Sequence, residues 1–277
     1  MLANFIKKAL YVFWKHSGLK NIEKLLATRI LEQQYNKEKY QNDKSLIKKG
    51  FKVFSQQDED GIIEEIFKRI GVKSKSFIEI GVETGEECNT TYLLHKGWKG
   101  VWIEGNKEYQ QKINKLFKNY IDKNLNVIFS RVNPTNINTE ILKHFKPNQE
   151  IDLLSIDIGV HTFHTLEKID SINPRVIVAE YNAKYGPSLE WKTNYDKNLN
   201  WDGSDNYGAS LKSFEKMLSL KKYKLVGCNI SGVNAFFVKE ELINNNFEKD
   251  FSSEYHFNEG RYWLKNAFEK QYKVKIL

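Results

Sequence analysis

The stretch that decides the fold is "YKLVGCNISGVNAFFVK", Tyr223 to Lys239. Two apolar runs are joined through Ser231-Gly232, a connection tight enough for a hairpin, so the last pair of strands must contain an antiparallel member. Upstream the pattern differs. From Phe51 onward, five short runs rich in Val and Ile ("SFIEI", "GVWIE", "NVIFSRV", "IDLLSID" and "RVIVAEY") alternate with helical stretches. That alternation predicts a parallel sheet covered by helices on both faces. The expected fold is α/β, a Rossmann-like seven-stranded sheet with an antiparallel terminal hairpin. A dinucleotide-binding sheet has no reason to finish that way.

The first helix of this domain is read from "DEDGIIEEIFKRIG", where Ile62, Ile63, Ile66, Phe67 and Ile70 fall at helical spacing. Its acids occupy the first turn, where the helix dipole favours them. Further helices are expected near 89–96, 107–119, 137–145, 162–170 and 208–221.

The formal charge of +8 is not spread evenly over the 277 residues. Residues 1–50 hold 11 Lys and Arg against 4 Asp and Glu, and the other 227 hold 32 against 31. The basic character therefore belongs to an arm, and a near-neutral main domain argues against nucleic acid as partner, since phosphate neutralisation dominates such binding. The arm reads as helix in two pieces broken near Ser17-Gly18, with Leu2, Phe5, Ile6, Leu10 and Phe13 on one face. A basic amphipathic helix can lie on an anionic membrane surface, dock on its own domain or pair with a second copy as a homodimer. Cys88 and Cys228 lack the number and spacing for a disulfide framework or a cysteine zinc site, which suits a reducing, cytoplasmic compartment. "ALYVFW", Ala9 to Trp14, is too short for a signal-peptide core, and nothing approaches a membrane-spanning length. The chain divides into the arm 1–50, a main domain 51–240 with an insertion 182–206, and a helical C-terminal extension 241–277.

In an open parallel sheet, ligands sit beyond the carboxyl ends of the strands. The polar residues at those ends are Glu79 with Gly81 and Gly85, then Glu104, Asn133, Asp157 and Glu180. Glu104 suits ribose hydroxyls, because a carboxylate can accept from both. Glu79 and Glu83 flank the glycine turn and would repel a pyrophosphate. A ligand carrying a ribose, an amino group and a sulfonium fits better, which indicates S-adenosylmethionine rather than NAD. "GVETG" also departs from the dinucleotide fingerprint, because its glycines are four apart and Cys88 stands where a third would fall.

Seven segments in order, "SQQDEDGIIEEIF", "FIEIGVETGEECNTTYLL", "GWKGVWIEGN", "IDLLSIDI", "INPRVIVAEYNAKYGP", "YGASL" and "YKLVGCNISGVNAFFV", carry a resemblance. Over roughly residues 51–240 the chain resembles class I S-adenosylmethionine-dependent methyltransferases of the FkbM-like kind, found in bacterial loci for capsule and lipooligosaccharide. The resemblance implies a methyltransferase sheet and a cofactor site formed by Gln56, Glu79, Gly81, Gly85 and Glu104. Glu83, Thr90, Asn133 and Asp157 complete that candidate set. It also implies that Asp157 and Glu180 with Asn182 face the methyl acceptor. One segment departs: where such proteins commonly read "DIDGNDYH", this chain reads "DIGVHTFH" from Asp157 to His164. Acids are replaced at Gly159 and Thr162, so Asp157, His161 and Glu180 are a thin donor set and no metal is expected.

Methyl transfer to a sugar hydroxyl needs alignment and removal of a proton from a poor nucleophile. His161 and His164 are candidate bases because an imidazole titrates near the working pH, and Glu180 is a further candidate. The insertion interleaves Tyr185, Trp191, Tyr195, Trp201 and Tyr207 with Asp196, Asp202 and Asp205. Rings that cover apolar faces and acids that accept from hydroxyls suit a sugar, so Asn182, Tyr185, Trp201, Asp205 and Tyr207 are the candidate acceptor contacts. The aromatics Phe247, Phe251, Tyr255, Phe257, Tyr262 and Trp263 read as a docking face. The expected activity is O-methylation of a sugar, nucleotide-sugar or related surface-polysaccharide precursor, and the alternative is a catalytically degenerate binding module on the same fold.

Overall fold

A computed structural model of the chain describes residues 18–268. The expected amphipathic stretch from Leu2 to Phe13 lies outside the described residues. The first described helix, α1 (Leu19–Tyr35), begins after Gly18. It is followed by α2 (Glu59–Ile70), β1 (Ser76–Ile80), α3 (Thr91–His95) and β2 (Lys99–Glu104). Next come α4 (Gln110–Leu116), β3 (Leu125–Phe129), α5 (Ile137–Leu142), β4 (Gln149–Ile156), α6 (Thr162–Lys168) and β5 (Ile172–Glu180). After the insertion the chain forms α7 (Leu211–Leu220), β6 (Tyr223–Cys228) and β7 (Asn234–Lys239).

The seven strands form one sheet in the order β3-β2-β1-β4-β5-β7-β6. The first five pair in parallel, and β7 runs antiparallel between β5 and β6. This is the α/β, Rossmann-like methyltransferase sheet, and the hairpin read from Tyr223–Lys239 is its antiparallel edge. Strand alternation divides the core. Ile78 and Ile80 of β1 join Val101, Ile103, Leu154 and Ile156 on one face, under α5, α6 and α7. Phe77 joins Trp102, Leu153, Val176 and Val178 on the other, under α2, α3 and α4.

A third cluster docks the arm, with Ala27 and Leu31 of α1 packing with Tyr40, Ile47, Ile230 and Leu264. Leu46 reaches into the main core beside Ile62 and Val226. Among the described residues, the C-terminal extension is helical only in short pieces, namely α8 (Ser253–His256) and 3-10 turns at Glu240–Leu242 and Tyr262–Asn266. Among the described residues, no helix is long and apolar enough to cross a membrane.

Candidate active site

The site begins where β1 ends. Gly81 has a φ of 85°, and a Cβ there would stand 1.7 Å from the Asp157 carbonyl oxygen. The Gly81 N–H donates to the Ile103 carbonyl and the Asp157 N–H to the Ile80 carbonyl, each at 2.9 Å, so three strand ends close around this residue. At Gly85 a Cβ would come within 2.6 Å of the Trp102 ring and 2.7 Å of Phe117. The two glycines, four apart, thus serve close packing against β4 and against β2 with the turn after α4. Between them Glu83 takes a φ of 48° and exposes its side chain.

Glu104, at the end of β2, is fixed from two sides. The Glu83 N–H donates to its Oε2 and the Asn106 N–H to its Oε1, each at 2.7 Å. The residues around it enclose a cleft of about 630 Å³, within the range of small-molecule sites. Gln56, Glu79, Gly81, Glu83, Glu86, Glu87, Glu104, Asn106, Tyr109, Asp157 and Asn234 are among its lining, which contains no Lys, Arg or His. The crowding of carboxylates is felt. Burial, and then the charges of Asp157, Glu104 and Glu87, raise the Glu83 carboxyl above its ordinary range. Lys52, behind the wall, donates its Nζ to the Gln56 carbonyl at 2.7 Å and approaches Glu87 to 3.7 Å.

Glu79 borders the cleft, yet its carboxylate is committed inward. It accepts from the N–H groups of Asn89 and Thr90 at 2.9 Å each and from the Thr90 hydroxyl. Thr90 in turn accepts from Trp102 Nε1 at 2.8 Å. Burial pushes the Glu79 carboxyl up to about 7 against the pull of those donors. Glu79 and Thr90 therefore brace the entry to α3.

Across the sheet, Ile156 of β4 pairs with Ala179 of β5, which sets Asp157 and Glu180 side by side at adjacent strand ends. Burial raises the Glu180 carboxyl well above the usual carboxylate range. The charge of Asp157 and a hydrogen bond between the two carboxyls add to the shift. The Tyr207 and Tyr262 hydroxyls lie 2.9 Å apart, and the same Glu180 charge reaches both phenols. Tyr262 comes from the extension and was read from the sequence as part of a docking face. Nothing in its local pattern marked it, because only the fold carries it back to the insertion.

The other candidates are structural in their contacts. His161 Nε2 is 2.9 Å from the Leu199 carbonyl and His164 Nε2 is 2.7 Å from the Thr193 carbonyl, with both rings edge-on to Tyr195. The imidazoles thus fasten the insertion, and neither lines the cleft. Burial, ahead of other influences, lowers the His161 pKa. Asn182 is buried and donates to the carbonyls of Asp205 and Tyr207, each at 2.8 Å. Asp205 pairs with Lys184 at 3.3 Å, Tyr185 stacks on Trp191, and Trp201 bonds the Ser204 carbonyl while remaining 64% exposed. Asn133 accepts from the Thr135 N–H and hydroxyl, closing its own turn outside the cleft. The acids Glu59 and Asp60 of "QQDEDG" stand in the first turn of α2, as read from the sequence, and are buried there. Glu59 accepts from Asn229 and Asn234, and Asp60 from the N–H groups of Val53, Phe54 and Ser55. Among the described residues, no group of three or more His, Cys, Asp and Glu is placed to hold a metal ion.

No known protein family and no curated protein matches the chain. Solved structures resemble it remotely. An S-adenosylmethionine-dependent methyltransferase from Aquifex aeolicus is 13% identical, with 63% of this chain and 87% of that one covered at a TM-score of 0.38. Another from Clostridium acetobutylicum is 12% identical, with 76% and 98% covered at 0.39. The N-terminal domain of EvdMO1, crystallised with S-adenosylhomocysteine and D-fucose, is 11% identical, with 66% and 82% covered at 0.43. The fold assignment rests on the chain's own strand order and pairing.

Proposed function

We propose that the protein is an S-adenosylmethionine-dependent O-methyltransferase of the FkbM-like kind, acting on a sugar, nucleotide-sugar or related surface-polysaccharide precursor. One observation carries this reading. The cleft at the carboxyl ends of β1, β2 and β4 is walled by carboxylates, without a cationic residue in its lining, and Glu104 is held at the β2 end. Such a cleft repels a pyrophosphate and attracts a ligand that carries an amine and a sulfonium.

The residues present fit that cofactor. Glu104 accepts one amide at each oxygen and retains lone pairs for the ribose hydroxyls. Tyr109 supplies an aromatic wall, and Glu83 and Asp157 supply negative charge opposite a cationic ligand. When bound, S-adenosylmethionine supplies an electrophilic methyl group on a sulfonium. The protein's part is to place a hydroxyl in line with it and to take up the proton. Asp157 and Glu180 are the groups suited to the second task. With both ionised, two adjacent carboxylates repel each other, so protonation relieves the repulsion and the pair is a stronger base than a lone carboxylate. His161 and His164 act at one remove, by holding the insertion that covers the acceptor side.

Calorimetric titration with S-adenosylmethionine and S-adenosylhomocysteine, with NAD as control, tests the cofactor. Binding of the first two with NAD excluded is the expected result. Failure of both to bind overturns the reading.

A further inference from the structure

We infer that the phenol pair of Tyr207 and Tyr262 forms the acceptor subsite, and that it takes an uncharged sugar ring whose reacting hydroxyl points to Asp157 and Glu180. The inference rests on the methyltransferase reading and adds to it the residue from the extension and the charge class of the acceptor.

The pair is built into the fold. Its hydroxyls are 2.9 Å apart, with Tyr207 supplied by the end of the insertion and Tyr262 by the extension. The Asn182 side chain holds the Tyr207 backbone through its carbonyl at 2.8 Å. The extension is clamped over the β6–β7 turn, where the Arg261 N–H donates to the Ser231 carbonyl at 2.7 Å. Leu264, two residues beyond Tyr262, is fully buried against α1. The Tyr207 backbone and the extension that carries Tyr262 are therefore both held in place.

The chemistry of the surroundings selects the ligand. Burial, with the nearby Glu180 charge, raises both phenols, so each stays a neutral group that can donate one hydrogen bond and accept another. That is the complement of a sugar hydroxyl, whose ring also offers apolar C–H faces to an aromatic side chain. A phosphate or carboxylate at the same place would meet Asp157 and Glu180 at adjacent strand ends and be repelled. Any charged portion of a larger precursor must project away from the phenols.

The test uses the full chain loaded with S-adenosylhomocysteine, titrated with methyl glycosides of neutral hexoses and with the corresponding hexose 1-phosphates. The expected result is binding of at least one methyl glycoside, with no gain in affinity for the phosphates. Tyr262→Phe, which removes a hydroxyl and keeps the ring, should weaken that binding about three- to tenfold, the value of one neutral hydrogen bond, and leave S-adenosylhomocysteine affinity unchanged. Tyr207→Phe should do the same. Equal affinity in Tyr262→Phe, preference for the phosphates, or no glycoside bound by the wild type would each overturn the inference. Loss of S-adenosylhomocysteine binding in the wild type would instead remove the methyltransferase reading beneath it.

Discussion

The Cα of Gly81 faces the carbonyl of Asp157 so closely that no side chain fits between them, since a Cβ would stand 1.7 Å from that oxygen. The backbone of β1's end and that of β4's end are thereby locked together at the floor of the cleft. Gly81→Ala must both strain a φ of 85° and push the strand ends apart. A destabilisation of at least about 2 kcal/mol is expected, with loss of cofactor affinity, read by urea unfolding and calorimetry.

Glu104 carries the ribose contact in the proposed reading. Glu104→Gln keeps the shape but presents an amide N–H₂ toward one of the two backbone donors, Glu83 N–H or Asn106 N–H. S-adenosylhomocysteine affinity should fall about tenfold or more, the value of a hydrogen bond to a charged group. Calorimetric affinity equal to wild type would sink the assignment.

The Asp157–Glu180 pair predicts a pH signature. Because the Glu180 carboxyl is raised, the fully ionised pair is populated only as pH rises through that higher value, so turnover should climb on the alkaline side. Glu180→Gln should lower kcat by about 10²- to 10⁴-fold, abolish that limb, and leave cofactor affinity intact.

His161→Ala gives the contrasting outcome. Loss of its bond to the Leu199 carbonyl should cost about 1 kcal/mol and speed proteolytic cutting within 193–200, while the alkaline limb persists. A pH–rate profile in which the limb disappears would return the imidazole to the role of base.

Glu79 links pH to stability. Its carboxyl is raised from 4.5 to about 7 in the fold, so the folded chain holds this proton more tightly than the unfolded one. The associated stability is present below pH 4.5 and is lost as pH rises through 7. Glu79→Gln is neutral throughout. The wild type should therefore lose stability relative to this variant between pH 5 and 8, measured by urea unfolding at each pH.

The sheet was legible because its signals are local. Short Val- and Ile-rich runs, each separated from the next by a helical stretch, fix the strands, and Ser231-Gly232 fixes the antiparallel pair. The position of Glu104 at the end of β2 was legible as well, because a strand end is a position along the chain. What sequence could not assign was the direction in which a polar side chain turns. Glu79 and Glu83 read alike as acids beside a glycine turn, yet one is spent on the amides of Asn89 and Thr90 and the other is exposed. Tyr262 could not be placed, because its partner Tyr207 stands 55 residues away and only the clamp over the β6–β7 turn brings them together. The carbonyl partners of His161 and His164 were hidden for a related reason, since Leu199 and Thr193 are brought to the imidazoles only by the folded insertion.

The docking of α1 has a consequence for how the chain is made. Glu23 accepts from Asn266 at 2.7 Å across 243 residues of sequence, and Leu31 shares a cluster with Ile230 and Leu264. The helix α1 is thus synthesised long before these partners, which emerge only after the central strands can pair. The part of its apolar side that meets Ile230 and Leu264 stays uncovered until those residues emerge and the seam closes. Tyr262 lies in that seam, so a chain interrupted before it could finish its sheet and still lack one of the two phenols proposed for the acceptor subsite.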